Sequence, residues 1–244
     1  DDNLLHQLQR LFTFLELSDR GDYNPQDFCF SFKDYQGLPV NVTIQQDAQE
    51  FINTIFDKIE NGLKTTPLRH LAEAVYGGKT CTQLICSECK NAKDKEENFY
   101  NLSLEVKNVK TLYESHDKYV TGEIINDYNC ESCKKKVNIR KRVCLSVLPN
   151  CLIVHLQRIV FNLESLMNEK LNSRLEFPFD LDLEQYSKEA LEKKENLQRP
   201  KKNIEVEGEE KSKETIQNEP QIPRDPNYYK YKLTGVVCHS GTAD

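Results

Sequence analysis

Two matched cysteine pairs constrain this chain more than any other feature: Cys86-Ser87-Glu88-Cys89 and Cys130-Glu131-Ser132-Cys133. A two-residue gap lets both sulfurs of a pair point into one small volume, and two such pairs supply the four thiolates that a structural zinc ion prefers. Forty residues separate the pairs, so the intervening segment must fold back to bring the second pair beside the first. We predict one structural Zn²⁺ held by Cys86, Cys89, Cys130 and Cys133. The alternatives are four unrelated buried thiols or disulfides.

Composition limits the partners of the chain. Its 244 residues suit one large domain or two small ones. The net charge of -6 disfavours nucleic acid as a partner and favours a basic protein surface. No apolar run reaches the length of a membrane span, and no signal-peptide pattern is present. The odd number of cysteines, nine, favours a reducing compartment, so we expect a cytoplasmic or nuclear protein. The missing initiator Met predicts a fragment.

Apolar periodicity predicts helices in the first third of the chain. Leucines and Phe12 recur at three- and four-residue steps from Leu4 to Leu15, and a longer apolar stripe runs from about Ile44 to Leu63. A third helical stretch covers Leu68 to Val75 and ends at a Gly-Gly pair. A short helix is also predicted for Leu112 to Val120.

Later segments have the patterns of strands. We predict strands at five places: Thr82 to Ile85, Leu102 to Val106, Val137 to Val147, Cys151 to Leu156 and Tyr231 to His239. Residues 187–226 are rich in Lys and Glu and contain no aromatic residue. This composition predicts a disordered surface insert. A helix from Leu183 to Leu197 is the alternative for its first part. The fold class that follows is α+β.

Two carboxylates, Asp47 and Glu50, lie three residues apart at the start of the most regular helix. They could offset the helix macrodipole, or they could accept the fork-shaped guanidinium groups of an incoming basic peptide.

The sequence around these residues resembles the ubiquitin-specific proteases, the papain-like cysteine deubiquitinases. Residues 45–51, Gln-Gln-Asp-Ala-Gln-Glu-Phe, are similar to the Q-Q-D-A-x-E-F motif of that family. The two C-x-x-C pairs resemble its zinc site, residues 148–158 its L-P-x-x-L-x-x-x-L-K-R strand, and residues 231–241 its Y-x-L-x-G-V-x-x-H-S-G segment. The likeness leans towards the very large fat-facets-like members.

The resemblance implies a right-hand architecture with a zinc ribbon, incomplete at both ends. Residues 1–76 would be a partial helical thumb, 77–148 the fingers with the zinc ribbon, and 149–244 a partial palm that contains the 187–226 insert. The implied partners are ubiquitin or ubiquitinated proteins, with no nucleic acid and no membrane. Asp47 and Glu50 match positions beside the C-terminal tail of ubiquitin, and His239 matches a histidine beside the active-site channel, so all three are expected to bind ubiquitin. His239 could equally be a packed core residue.

The departures from the family concern catalysis. This chain contains neither the G-N-T-C box that carries the family's nucleophile nor the G-H-Y motif that carries its general base, so we assign no catalytic residue. Cys29 lacks the glycine-asparagine loop of that box. We expect the complete parent to be a ubiquitinyl hydrolase and this chain to be part of its catalytic domain. The alternatives are a catalytically dead ubiquitin-binding module and a zinc-ribbon protein that binds nucleic acid.

Overall fold

The chain divides into two compact units, Asp1–Tyr76 and Gly77–Asp244. The computed structural model describes residues 3–34, 36–44, 47–195, 225 and 227–241. Within these ranges the α+β prediction is confirmed, because helices dominate the first unit and strands the second. No helix in the described ranges is both long enough and apolar enough to cross a membrane.

The described part of the first unit is helical. Its helices are α1 (Leu4–Leu17), α2 (Gln26–Ser31), α3 (Ala48–Leu63) and α4 (Leu71–Tyr76). The α1 helix starts where the leucine pattern starts, after Asn3, whose side chain accepts a hydrogen bond from the His6 N–H. The sequence pattern therefore located this helix correctly to within a turn.

The α3 helix begins at Ala48, four residues after the predicted start. Asp47 is its N-cap: the carboxylate accepts hydrogen bonds from the backbone N–H groups of Gln49 and Glu50, which satisfies donors that have no partner inside the helix. The apolar face of α3 packs within its own unit, where the ring centroids of Phe56 and Tyr76 are 4.9 Å apart. The cap and the apolar stripe together fix the start and the orientation of α3.

The second unit is mostly strands. They are β1 (Gly78–Cys86), β2 (Ala92–Phe99), β3 (Asn101–Glu105), β4 (Glu123–Cys130), β5 (Lys135–Val147), β6 (Ile153–Gln157), β7 (Ile159–Asn162), β8 (Met167–Lys170), β9 (Asp180–Asp182) and β10 (Lys230–Lys232). Its α-helices are α5 (Leu112–Thr121) and α6 (Lys188–Glu195), and a 3-10 helix covers Glu184–Tyr186.

An antiparallel four-stranded sheet in the order β2-β1-β5-β4 carries both cysteine pairs. The smaller pairings are β3 with β6 (parallel), β7 with β8 and β9 with β10. The main core lies where β3, α5 and the end of β5 meet the 3-10 helix, and its central side chains are at most 2% exposed: Leu102, Leu104, Leu145, Leu183 and Tyr186. This core supports the base of the four-stranded sheet.

Two predictions for the second unit need correction. The predicted core strand Tyr231–His239 is limited to Lys230–Lys232, because β9 offers only three residues to pair with it. Beyond the pairing the chain is not a strand, and Val237 is 84% exposed. The predicted disordered insert does not begin at residue 187, because Ser187 is buried and α6 follows it. The remainder of the insert, residues 196–224 and 226, lies outside the described residues.

Gly122, between α5 and β4, occupies a position that excludes a side chain. Its φ is +74°, and a Cβ there would lie 2.1 Å from the backbone oxygen of Lys141. Glycine tolerates this conformation because it has no Cβ. The turn therefore lets β4 approach β5 closely enough to pair.

We predict that Gly122→Ala destabilises the protein by at least about 2 kcal/mol, because both the backbone conformation and the contact with β5 are incompatible with a Cβ. Thermal unfolding followed by circular dichroism should show a melting temperature lower by about 5 °C or more. The matched control is Gly235→Ala, where a Cβ meets nothing within 4 Å. Equal melting temperatures for the two variants would contradict the assignment.

Candidate metal centre and ubiquitin-binding residues

The two cysteine pairs lie at the ends of two hairpins of the four-stranded sheet. Cys86 is the last residue of β1 and Cys130 the last residue of β4. In each hairpin the residue after the second cysteine, Lys90 or Lys134, has a left-handed backbone conformation. Their N–H groups donate back to the first cysteine of the pair, Lys90 to the Cys86 oxygen at 3.1 Å and Lys134 to the Cys130 oxygen at 2.8 Å. The same tight turn is therefore built twice.

The four sulfurs converge into one cluster. The Sγ atoms of Cys86 and Cys133 are 3.8 Å apart, as are those of Cys89 and Cys130, and all four lie within 4.8 Å of one another. Sulfurs bound at about 2.3 Å to a tetrahedral centre would be separated by about 3.8 Å. The predicted cluster is confirmed, and neither unrelated thiols nor disulfides describe it, since all four cysteines are free. The donor set and its spacing fit a zinc ion.

The electrostatics of the cluster suit a bound cation. Burial disfavours the Cys86 thiolate, but backbone N–H groups of Cys89 and Glu88 and the neighbouring thiols lower its pKa to about 7. The pKa of Cys133 is raised to about 12, first by its contact with Cys89 and then by burial. One thiolate thus forms readily, and each further negative charge is opposed by those already present. A divalent cation removes that opposition.

Exposed polar contacts link the two turns around the cluster. Glu88, inside the first pair, contacts Lys135 just after the second pair, with 2.6 Å between Oε2 and Nζ. Glu131, inside the second pair, contacts Lys93 on the other hairpin, with 3.2 Å between Oε1 and Nζ. Surface ion pairs of this kind contribute little to stability, because water screens the charges and the long side chains lose freedom on pairing. These contacts were not predicted, although a Glu within each C-x-x-C and a Lys shortly after each are a sequence signal for them.

The predicted ubiquitin-binding residues of the first unit lie together at the start of α3. Both N–H donors at this helix end bind the same carboxylate oxygen, Oδ1 of Asp47, at 2.7 Å from Gln49 and 3.2 Å from Glu50. Asp47 and Glu50 are exposed. The carboxylate of Asp47 therefore caps the helix through Oδ1, and neither of these two hydrogen bonds uses Oδ2.

The third predicted residue, His239, belongs to the second unit, where it is exposed rather than packed in a core. Its backbone oxygen and that of Gly241 accept hydrogen bonds from the Lys170 ammonium at 3.4 and 2.8 Å. Lys170 ends β8, so the segment around His239 is held beside the β7–β8 hairpin.

The chain is similar to proteins named as ubiquitin carboxyl-terminal hydrolases. The family model described as ubiquitin carboxyl-terminal hydrolase matches residues 1–244. Ubiquitin carboxyl-terminal hydrolase 34 of Homo sapiens is 31% identical over 98% of this chain and 6% of its own length. The probable ubiquitin carboxyl-terminal hydrolase FAF of Drosophila melanogaster is 34% identical over 98% of this chain and 8% of its own length. The chain thus spans less than a tenth of these relatives.

A solved structure supports the same relationship. The SAGA Ubp8/Sgf11/Sus1/Sgf73 DUB module bound to ubiquitin aldehyde matches with a TM-score of 0.53 and 28% identity, over 59% of this chain and 33% of that chain. The resemblance seen in the motifs, including the likeness to the fat-facets-like members, is confirmed by these relatives. A family match across all 244 residues, together with relatives more than 30% identical over nearly the whole chain, shows that the chain belongs to the ubiquitin carboxyl-terminal hydrolase family.

Proposed function

We propose that this chain forms part of the catalytic domain of a deubiquitinating thiol isopeptidase and that it binds ubiquitin. In the complete protein this domain would hydrolyse the bond after the C-terminal glycine of ubiquitin. The observation that carries the proposal is the family match over residues 1–244. A solved relative with 28% identity is bound to ubiquitin aldehyde, which supports ubiquitin as the partner of this chain.

We also propose that the four-cysteine cluster binds one structural Zn²⁺ through Cys86, Cys89, Cys130 and Cys133. Only a small group of side chains packs around the cluster, with Val137 and Ile139 buried beside Cys86 and Cys130. So few apolar contacts provide little burial to fix two hairpin ends. When bound, the metal supplies that fixation, because its binding free energy is coupled to folding of the site.

Purified protein should contain one zinc ion per chain, and a strong chelator should lower its melting temperature, because the metal binds only the folded site. Cys130→Ser should lose most of the zinc, since it removes one of four thiolate ligands. The matched control is Cys238→Ser, an exposed cysteine outside the cluster, which should keep full zinc content. Elemental analysis showing well under one zinc in the wild-type chain would contradict the proposal.

The start of α3 is proposed to receive the arginines of the ubiquitin tail. Oδ1 of Asp47 accepts both helix N–H groups, so Oδ2 and the Glu50 carboxylate remain to face a guanidinium group. Carboxylate–guanidinium pairs are charge-assisted and directional, which suits recognition of an extended basic tail. Capping the helix and binding the tail are therefore compatible roles for the same side chain.

Removing the charges while keeping the cap separates these two roles. Asn is as good an N-cap as Asp, so Asp47→Asn with Glu50→Gln should leave the melting temperature nearly unchanged. The same variant should bind ubiquitin about tenfold more weakly, because charge-assisted hydrogen bonds are lost. Isothermal titration calorimetry of this chain with ubiquitin measures the difference.

The control variant is Glu16→Gln with Asp57→Asn, which removes two exposed charges from the same unit but away from the start of α3. It should bind ubiquitin like the wild type. Ubiquitin without its last four residues should bind the wild type and the Asp47/Glu50 variant alike, because the tail arginines lose their anchor. If tail removal and the double substitution weaken binding additively, the carboxylates do not contact the tail and only serve the helix.

The chemistry is proposed for the complete protein. Residues 1–244 contain neither the G-N-T-C box nor the G-H-Y motif, so this chain supplies binding and orientation but no activated thiol. In the complete protein a Cys thiolate would attack the carbonyl carbon of the terminal glycine, and water would hydrolyse the resulting thioester. A ubiquitin-binding module without hydrolase activity is the second candidate, favoured by the absence of those motifs from this chain.

A ubiquitin probe with a C-terminal electrophile distinguishes the two candidates. The 244-residue chain should remain unmodified, whereas the complete protein should be modified at a cysteine outside these residues. Intact-mass and peptide mass spectrometry locate the adduct. A complete protein that binds ubiquitin but stays unmodified would establish the binding module instead, and an adduct at Cys29 or Cys238 would show that the active site is assigned wrongly.

A further inference from the structure

A row of polar side chains, two of them buried and one half-buried, crosses the four-stranded sheet. Gln83 on β1 pairs in register with Asp94 on β2 and with Arg142 on β5, so the three residues form one line across neighbouring strands. Gln83 donates to Asp94 at 3.3 Å and accepts from the Nε of Arg142 at 2.9 Å. The Arg142 side chain is only 1% exposed. A guanidinium buried to this extent needs a carboxylate partner, because removing it from water is costly.

Helix α6 provides that partner. Glu195 binds the Nη1 of Arg142 at 2.8 Å through one carboxylate oxygen and Arg140 through the other. Glu192 accepts a hydrogen bond from Gln83 at 2.7 Å, and the Lys188 ammonium lies 2.8 Å from Asp94. Residues 188, 192 and 195 share one face of a helix. This face therefore lies along the polar row and matches it contact by contact.

Charged groups make the specific contacts of α6 with the polar row. A helix on a protein surface usually buries an apolar stripe, but α6 has no fully buried residue, and its apolar side chains, Ala190 and Leu191, are only half-buried. Two of the docking residues also have the wrong sign for the helix macrodipole, since Lys188 is in the first turn and Glu195 in the last. An isolated helix of eight residues is not stable in water, so α6 persists only while it is docked.

We propose that α6 is an ionic latch, a short helix that carboxylate and ammonium groups hold on the four-stranded sheet and that leaves the sheet without unfolding it. The sheet does not depend on α6 for its strand pairing, because β1 pairs along its length with β2 and β5. Release of α6 uncovers Gln83 and Arg142 and hydrates the Nη2 of Arg142, which is buried with no hydrogen-bond partner among the described residues. The latch thus controls whether this face of the sheet is covered. The inference does not depend on the proposed function.

Glu195→Gln tests the latch with Lys194→Gln as its control. Both changes replace one charge by an amide of similar helix propensity, but Glu195 faces the sheet and Lys194 is exposed. In an isolated helix, Glu195→Gln would be mildly stabilising, because it removes a negative charge from the C-terminal end. Faster amide exchange in this variant would therefore report undocking and not a weaker helix.

Hydrogen exchange followed by mass spectrometry gives the first readout. Amides of residues 188–195 should exchange at least about tenfold faster in Glu195→Gln than in the wild type or Lys194→Gln. Amides of β1 and β5 should keep their protection. Phenylglyoxal, a reagent for arginine, gives the second readout: Arg142 should be modified in Glu195→Gln and protected in the wild type and the control.

Two results would overturn the proposal. Unchanged exchange in residues 188–195 would show that docking does not depend on the Glu195 charge. Loss of protection in β1 and β5 together with α6 would show that α6 is an integral part of the sheet. If Glu195→Gln does not fold, Lys188→Gln removes the contact with Asp94 at the other end of α6 and must release the helix alone. Unfolding of both variants would refute a detachable latch.

Discussion

The pairing of β1 with β5 brings together side chains that are far apart in the sequence, and most of the second unit depends on it. Its register places Cys86 opposite Ile139 and Gln83 opposite Arg142. The first of these pairs aligns the ends of the two hairpins, so that their turns lie side by side and the four thiols form one cluster. The second sets up the polar row that α6 covers. A slip by one residue would turn both sets of side chains to the opposite face.

The two ends of this sheet are stabilised by different means. At the base, leucines of β3 and β5 and the ring of Tyr186 form an apolar core with hardly any exposed surface. At the other end only a small cluster around Val137 and Ile139 is buried. Apolar burial contributes in proportion to area, so the hairpin end needs another source of stability. We propose that a divalent cation bound by the four converging thiolates provides it, which would account for cysteines at the hairpin turns and not in the core.

The predictable parts of the structure are those fixed by local patterns. The doubled C-x-x-C spacing identified the cluster, and the leucine repeat located α1. The β2 strand was missed because most of its residues are charged, and it forms by pairing with β1 along the whole length of both strands. The α6 helix lies within the alternative helix from Leu183 to Leu197 and not in a disordered segment, but its composition offers no apolar stripe that would favour the helix. Its partners Gln83 and Arg142 are distant in the sequence, and no local pattern links them to Glu192 and Glu195.

We propose that four thiolates at two hairpin turns hold a zinc ion in this chain of the ubiquitin carboxyl-terminal hydrolase family. X-ray absorption at the zinc edge of the purified protein tests it most directly, because it counts and identifies the atoms bound to the metal. We expect a single shell of four sulfur atoms at about 2.3 Å from the zinc ion. A shell containing nitrogen or oxygen ligands, or fewer than four sulfurs, would contradict the assignment of Cys86, Cys89, Cys130 and Cys133 as the complete ligand set.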